Sequence, residues 1–109
     1  MANYYSDHPE FDFYLNHPEM KRVVELKERN FADKDKYEDA PVDFDDAIEN
    51  YKRVLDITGD IAANILEPNS EAVDLEGPHL VEGRMHYASK TYENIEATRQ
   101  AGLWGISMP

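Results

Sequence analysis

Cysteine is absent from this chain. That excludes a disulfide frame, a thiol nucleophile and a zinc–thiolate centre. Glycine is scarce, and its five residues are scattered, so no glycine-rich phosphate loop is available. Positive charge is scarce as well: 11 Lys and Arg stand against 23 Asp and Glu, a net charge of −12. Such a surface repels phosphates, which argues against nucleic acid and anionic membranes as partners. The plain reading of the acidity is solubility. No apolar run reaches the length of a membrane-spanning helix. Met1-Ala2-Asn3-Tyr4 has neither the basic region nor the apolar run that opens a signal peptide, so the cytoplasm is the expected compartment.

What the chain has is helical periodicity. With 109 residues, 41% of them apolar, it is long enough for one domain spanning 1–109 that buries roughly two thirds of its unfolded surface. From Phe44 to Leu66 the apolar residues Phe44, Ile48, Tyr51, Leu55, Thr58, Ala62 and Ile65 alternate spacings of four and three, the signature of one helical face. Ala47, Val54 and Ile61 widen the stripe on one flank, while Asp46, Glu49, Asn50, Arg53 and Asp60 lie opposite. The rod is about 35 Å long at about 1.5 Å per residue. Asp43 is the expected N-cap, Asp45 and Asp46 suit the positive end of the helix dipole, and Pro68 is expected to stop the helix. Gly59 inside it suggests either a weak spot or the close approach of another helix. Leu55 is expected in the core, where truncation to Ala costs about 2–5 kcal/mol.

Two phrases, Asp7-His8-Pro9-Glu10-Phe11 and Asn16-His17-Pro18-Glu19-Met20, echo each other and read as helix starts, with Pro in the first turn. The first predicts a short helix over Pro9–Leu15 that buries Phe11, Tyr14 and Leu15. The second predicts a helix over Pro18–Asn30, with Met20, Val23, Val24 and Phe31 inward, Leu26 to one side, and a Glu25–Arg29 pair. Residues 32–41 are charged, lack an apolar period and end in Pro41, so they read as a surface loop. Residues 68–84 read as irregular, with turns at Gly77-Pro78 and Glu82-Gly83 and a short extended piece at Leu80-Val81. A last helix is expected from Met85 to Ala101, with Met85, Ala88, Tyr92 and Ile95 inward. Gly102 takes the left-handed terminal position, Leu103 folds back on Ala97 or Thr98, and an extended tail follows from Trp104 to Pro109. The expected class is all-α: a bundle of about three main helices plus a short N-terminal one.

Constellations that carry chemistry are near misses. Asp33-Lys34-Asp35-Lys36-Tyr37 begins like a calcium loop, but has Glu38 where glycine is needed and Phe44 where the bidentate acid belongs. Glu76 and His79 have the Glu-x-x-His spacing of metal bundles, yet Gly77-Pro78 between them forbids the helix that spacing requires. His8 and His17 read as helix-start residues, and His79 and His86 as loop or surface residues. Ser6, Ser70, Ser89 and Ser107 lack a nucleophile-elbow setting. Tyr51 and Tyr92 are core residues before they are cofactor contacts. No catalytic, cofactor-binding or metal residue is assigned.

The end of the chain carries more. Tyr92 to Pro109, and within it Ala101-Gly102-Leu103-Trp104-Gly105 with Pro109, resembles a landmark of the FAD-dependent acyl-CoA dehydrogenases. There a helix ends in Ala-Gly, an aromatic-containing Gly-Ile/Leu-x-x-Pro segment follows, and a Tyr-Gly-Gly turn comes a few residues later. Residues 77–84 resemble the irregular stretch before that helix. The opening, Tyr4-Tyr5 through Phe11-Asp12-Phe13-Tyr14-Leu15, resembles the extra N-terminal segment of a bacterial subgroup. The resemblance covers most of the chain, but only its final 18 residues are specific. It implies an N-terminal helical domain, cut before the Tyr-Gly-Gly turn, that walls the acyl pocket of an enzyme oxidising acyl-CoA to 2-enoyl-CoA. In that family FAD takes the β-hydride, a carboxylate base takes the α-proton, and electron-transferring flavoprotein reoxidises the flavin. None of the family's chemical residues has a matching position here. The 109 residues alone are therefore expected to be inactive, to need no cofactor, and to cover their orphaned apolar surface as a homodimer. The rival expectation is a free-standing acidic helical module that binds a protein or peptide.

Overall fold

The computed structural model describes Ala2–Ile106; Met1 and the tail residues Ser107, Met108 and Pro109 lie outside the description. The all-α expectation holds in coarse form: the chain is mostly helical, with one small two-stranded sheet. Its contacts divide it into two compact units. One is Tyr5–Asp56; the other joins the chain up to Tyr4 with the chain from Ile57 onward.

In the Tyr5–Asp56 unit, α1 (Glu10–Leu15) and α2 (Met20–Lys27) both start just after the expected prolines. Phe11 and Tyr14, expected inside, are exposed, and only Leu15 is half-buried. On α2, Val24 is fully buried, Met20 is half-buried, and Val23 and Leu26 are exposed. The helix ends short of Asn30 because Arg29, Asn30 and Phe31 all turn left-handed, with φ of 51°, 56° and 60°. None is glycine, and left-handed backbone costs such residues roughly 1 kcal/mol each. Arg29 has left the helix, so it pairs with Asp33 at 2.5 Å instead of the expected Glu25. Residues 32–41 form turns and no regular element, as the charge pattern predicts.

The rod begins where expected, as α3 (Phe44–Ile61). The Asp46 N–H donates to Asp43 Oδ1 at 2.9 Å, and the Asp46 carboxylate accepts the Val42 N–H at 3.1 Å. This reciprocal cap satisfies two donors at the helix entrance. Of the flank row, Ala47 and Ile61 are buried but Val54 between them is exposed; of the main row, Phe44, Ile48, Tyr51 and Leu55 are half-buried and Thr58 is exposed. Leu55 is therefore not a core residue. Gly59 is buried, but what approaches it is the N-terminal chain: the Tyr4 N–H donates to the Gly59 carbonyl at 3.1 Å. Asn64 Nδ2 adds a bond to the Ala2 carbonyl at 2.9 Å, and the Tyr4 hydroxyl donates to Glu67.

Pro68 does not stop the helix. A π-helical turn, Ala62–Leu66, follows α3 and leads directly into α4 (Glu67–Glu76), with Pro68 in its first turn. Proline has no N–H to give the carbonyl four residues back, and its ring clashes there. The wider π turn just ahead accommodates both defects, so the irregular chain expected over 68–76 is helical. Gly77, at φ 62°, ends the run, and its N–H still reaches the Val73 carbonyl.

A hairpin follows, β1 (His79–Val81) with β2 (Arg84–His86), pairing His79 with His86, Leu80 with Met85 and Val81 with Arg84. Glu82 and Gly83 both have positive φ, 50° and 78°, the two-residue turn whose twist matches paired strands. Met85 is thus a strand residue, not the start of the last helix. That helix, α5 (Ser89–Gln100), begins after an extended Ala88 that has no side chain to cap it. Glu76 substitutes: its carboxylate accepts the Ser89 N–H at 2.7 Å and the Ser89 hydroxyl at 3.1 Å. Ala88 is buried, but Tyr92 and Ile95 are exposed. The buried Asn69 ties α4 to α5, donating to Asn94 Oδ1 at 2.8 Å and Glu93 Oε1 at 3.3 Å.

Candidate functional site

The residues singled out from the sequence are scattered, with one exception. The would-be calcium loop spends its first acid on cations, since Asp33 pairs with Arg29 and lies 4.0 Å from Lys36 Nζ. His17 is a helix-start residue, its Nδ1 accepting the Glu19 N–H at 3.1 Å. Glu76 caps α5 and does not join His79. Ser70 Oγ donates to the Glu67 carbonyl at 2.7 Å, a local bond within the helix. Tyr51 is half-buried and donates its hydroxyl to Glu28; burial, then the neighbouring carboxylate, pushes its pKa well above the ordinary phenol range. Tyr5 is pushed up to about 12 in the same way, by burial and by Asp12 at 2.5 Å. Both phenols are held protonated as donors, which is a structural role rather than that of a base.

The exception is His79 and His86. The hairpin register sets them opposite each other, with ring centroids 5.9 Å apart and planes within 17°. The available signal was the two-residue turn at Glu82-Gly83, which pairs positions three before and three after it. Among the described residues no group of three or more His, Cys, Asp or Glu could hold a metal ion.

The Tyr5–Asp56 unit also has a cleft of about 410 Å³ between the α1–α2 turn and the first turns of α3. Leu15, Pro18, Phe44 and Ile48 form its apolar wall, and Lys21 and Lys52 reach its rim. Asn16, His17 and Asp45 line it as well.

The specific C-terminal stretch forms a compact motif. Gly102, at φ 75°, takes the left-handed position after α5. Leu103–Gly105 then makes a single 3-10 turn where an extended chain was expected. Leu103 is half-buried, and Trp104 also turns back, its Nε1–H donating to Thr98 Oγ1 at 3.1 Å. Thr98 Oγ1 in turn donates to the Ile95 carbonyl at 2.8 Å. The expected tail over 107–109 lies outside the described residues. No helix among the described residues is long and apolar enough to cross a membrane. Comparison with family models, with curated proteins and with solved structures finds no match to this chain.

Proposed function

We propose that the chain is the N-terminal helical domain of an FAD-dependent acyl-CoA dehydrogenase and helps to wall the acyl pocket. The observation that carries this reading is the resemblance of Tyr92–Pro109 to that family's landmark. Supporting it, Ala101-Gly102 ends a helix with Gly102 left-handed and an aromatic ring turned back on the last turn. The hairpin ahead of α5 also fits the non-helical stretch that the resemblance expects there. On this reading the chain supplies no catalytic group. The base, the flavin contacts and the docking of electron-transferring flavoprotein belong to sequence beyond Pro109. The test is the natural reading frame. It should continue past Pro109 into a Tyr-Gly-Gly turn and several hundred further residues, and a stop codon at that point would end the proposal. A companion assay of the 109-residue chain with FAD, acyl-CoAs and an artificial acceptor should give no turnover; activity that survives repurification would contradict the assigned role.

A second reading, a free-standing acidic module that binds a protein or peptide, is favoured by one observation. Large apolar side chains stand exposed in both units, Phe13 and Tyr14 on α1 and Tyr92 and Ile95 on α5 among them. The same reading-frame result separates the two, because a module needs no continuation.

A further inference from the structure

His79 and His86 sit directly opposite in an antiparallel pair, so their side chains leave the same face of the hairpin. His79 is exposed and His86 half-buried. Nδ1 of His79 lies 3.5 Å from the Gly77 carbonyl oxygen. A carbonyl can only accept, so this contact is favourable with the hydrogen on Nδ1, and that tautomer leaves the lone pair on Nε2. Histidines that ligate metals are commonly oriented in this manner, with the second ring nitrogen bonded to a backbone carbonyl.

We propose that His79 and His86 form a two-imidazole clamp for one divalent late-transition ion of the zinc type. Imidazole suits zinc, copper and nickel. Metal–nitrogen bonds of about 2.0–2.1 Å place two ring centres about 5 Å apart across a tetrahedral ion. The observed 5.9 Å is near that spacing, but the rings are stacked with planes within 17°, so binding must turn both rings until their in-plane nitrogen lone pairs converge on the ion. No third His, Cys, Asp or Glu joins them among the described residues, so water fills the remaining positions and the ion stays open to exogenous ligands. Each ligand comes from a different strand, so the clamp exists only when β1 and β2 are in register. Binding therefore cross-links the hairpin, and hairpin formation and metal affinity rise together.

The test is a zinc chloride titration of the 109-residue chain, followed by NMR through the histidine ring C–H resonances and the amides of residues 79–86. The His79 and His86 resonances should move together, with the hairpin amides. His79→Gln and His86→Gln should each weaken binding by at least about tenfold, and the double variant should do no worse than either. His8→Gln should leave the titration unchanged. Circular dichroism checks that each variant keeps its helix content. Unmoved His79 and His86 resonances at millimolar zinc would overturn the clamp. So would wild-type affinity in either single variant, which would mean that the replaced histidine does not hold the ion. Neither failure touches the dehydrogenase reading, which uses only the non-helical course of this stretch and no metal ligand in it.

Discussion

Two residues of the Tyr5–Asp56 unit show where its stability is concentrated. Val24 is fully buried, so Val24→Ala removes two carbons from a filled space and should cost about 2 kcal/mol. Leu55 is larger but half-buried, and Leu55→Ala should cost about 1 kcal/mol. Urea unfolding of the two variants checks the order; a larger loss at Leu55 would contradict the observed burial. Periodicity alone places both residues inward, because it locates a stripe but not how deeply each member is covered. Tyr51 carries a pH dependence. Its folded pKa is raised by burial and by Glu28, so its contribution is fully present below the unfolded phenol value of 10.0. That contribution is lost as pH rises from there through the raised folded value. Tyr51→Phe should cost about 0.5–1 kcal/mol at neutral pH, since water competes for this half-exposed bond. It should also flatten the alkaline side of the stability profile, read from thermal melts between pH 8 and about 11.

At the scale of elements, α3 and α4 form one right-handed helical run that passes through a proline. Pro68→Ala restores the missing N–H and removes the ring clash, so the variant should gain about 1 kcal/mol or more. Amide exchange around residues 62–68 should slow as the π turn tightens to α-helix. Unchanged exchange there would show that the π turn has another cause. The legible elements are those with local signals: Asp43 at the rod's entrance, Gly102 at the end of α5, and the turn at Glu82-Gly83. The illegible ones depend on partners distant in sequence or on strained backbone. Glu76 caps α5 across twelve intervening residues, which moves the helix start from Met85 to Ser89. Three left-handed residues end α2 with no glycine to announce them. From the sequence His79 and His86 read as separate loop or surface residues. Their pairing needed a hairpin whose strands are only three residues long, too short for alternation to stand out.

At the scale of the whole molecule, exposed apolar surface and excess negative charge act against each other. Phe13, Leu26, Leu75, Leu80 and Met85 are all more than 60% exposed, while the net charge is −12. Apolar patches of several hundred square ångströms favour burial in an interface, and the charge opposes indiscriminate association. A defined homodimer is expected at tens of micromolar by analytical ultracentrifugation, tightening as added salt screens the repulsion. A monomer at both low and high salt would refute it. The C-terminal turn offers an independent view of any such interface. Trp104 is the only tryptophan in the sequence, and its indole N–H is held by Thr98 while 58% of the residue remains exposed. The molecule thus carries one optical probe, anchored at a known place with its ring still wet. Whatever comes to cover that end of α5, a second copy or a following domain, will dry the ring and shift its emission toward the blue. Thr98→Val, by freeing the indole, will blur that signal without removing the surface it reports on.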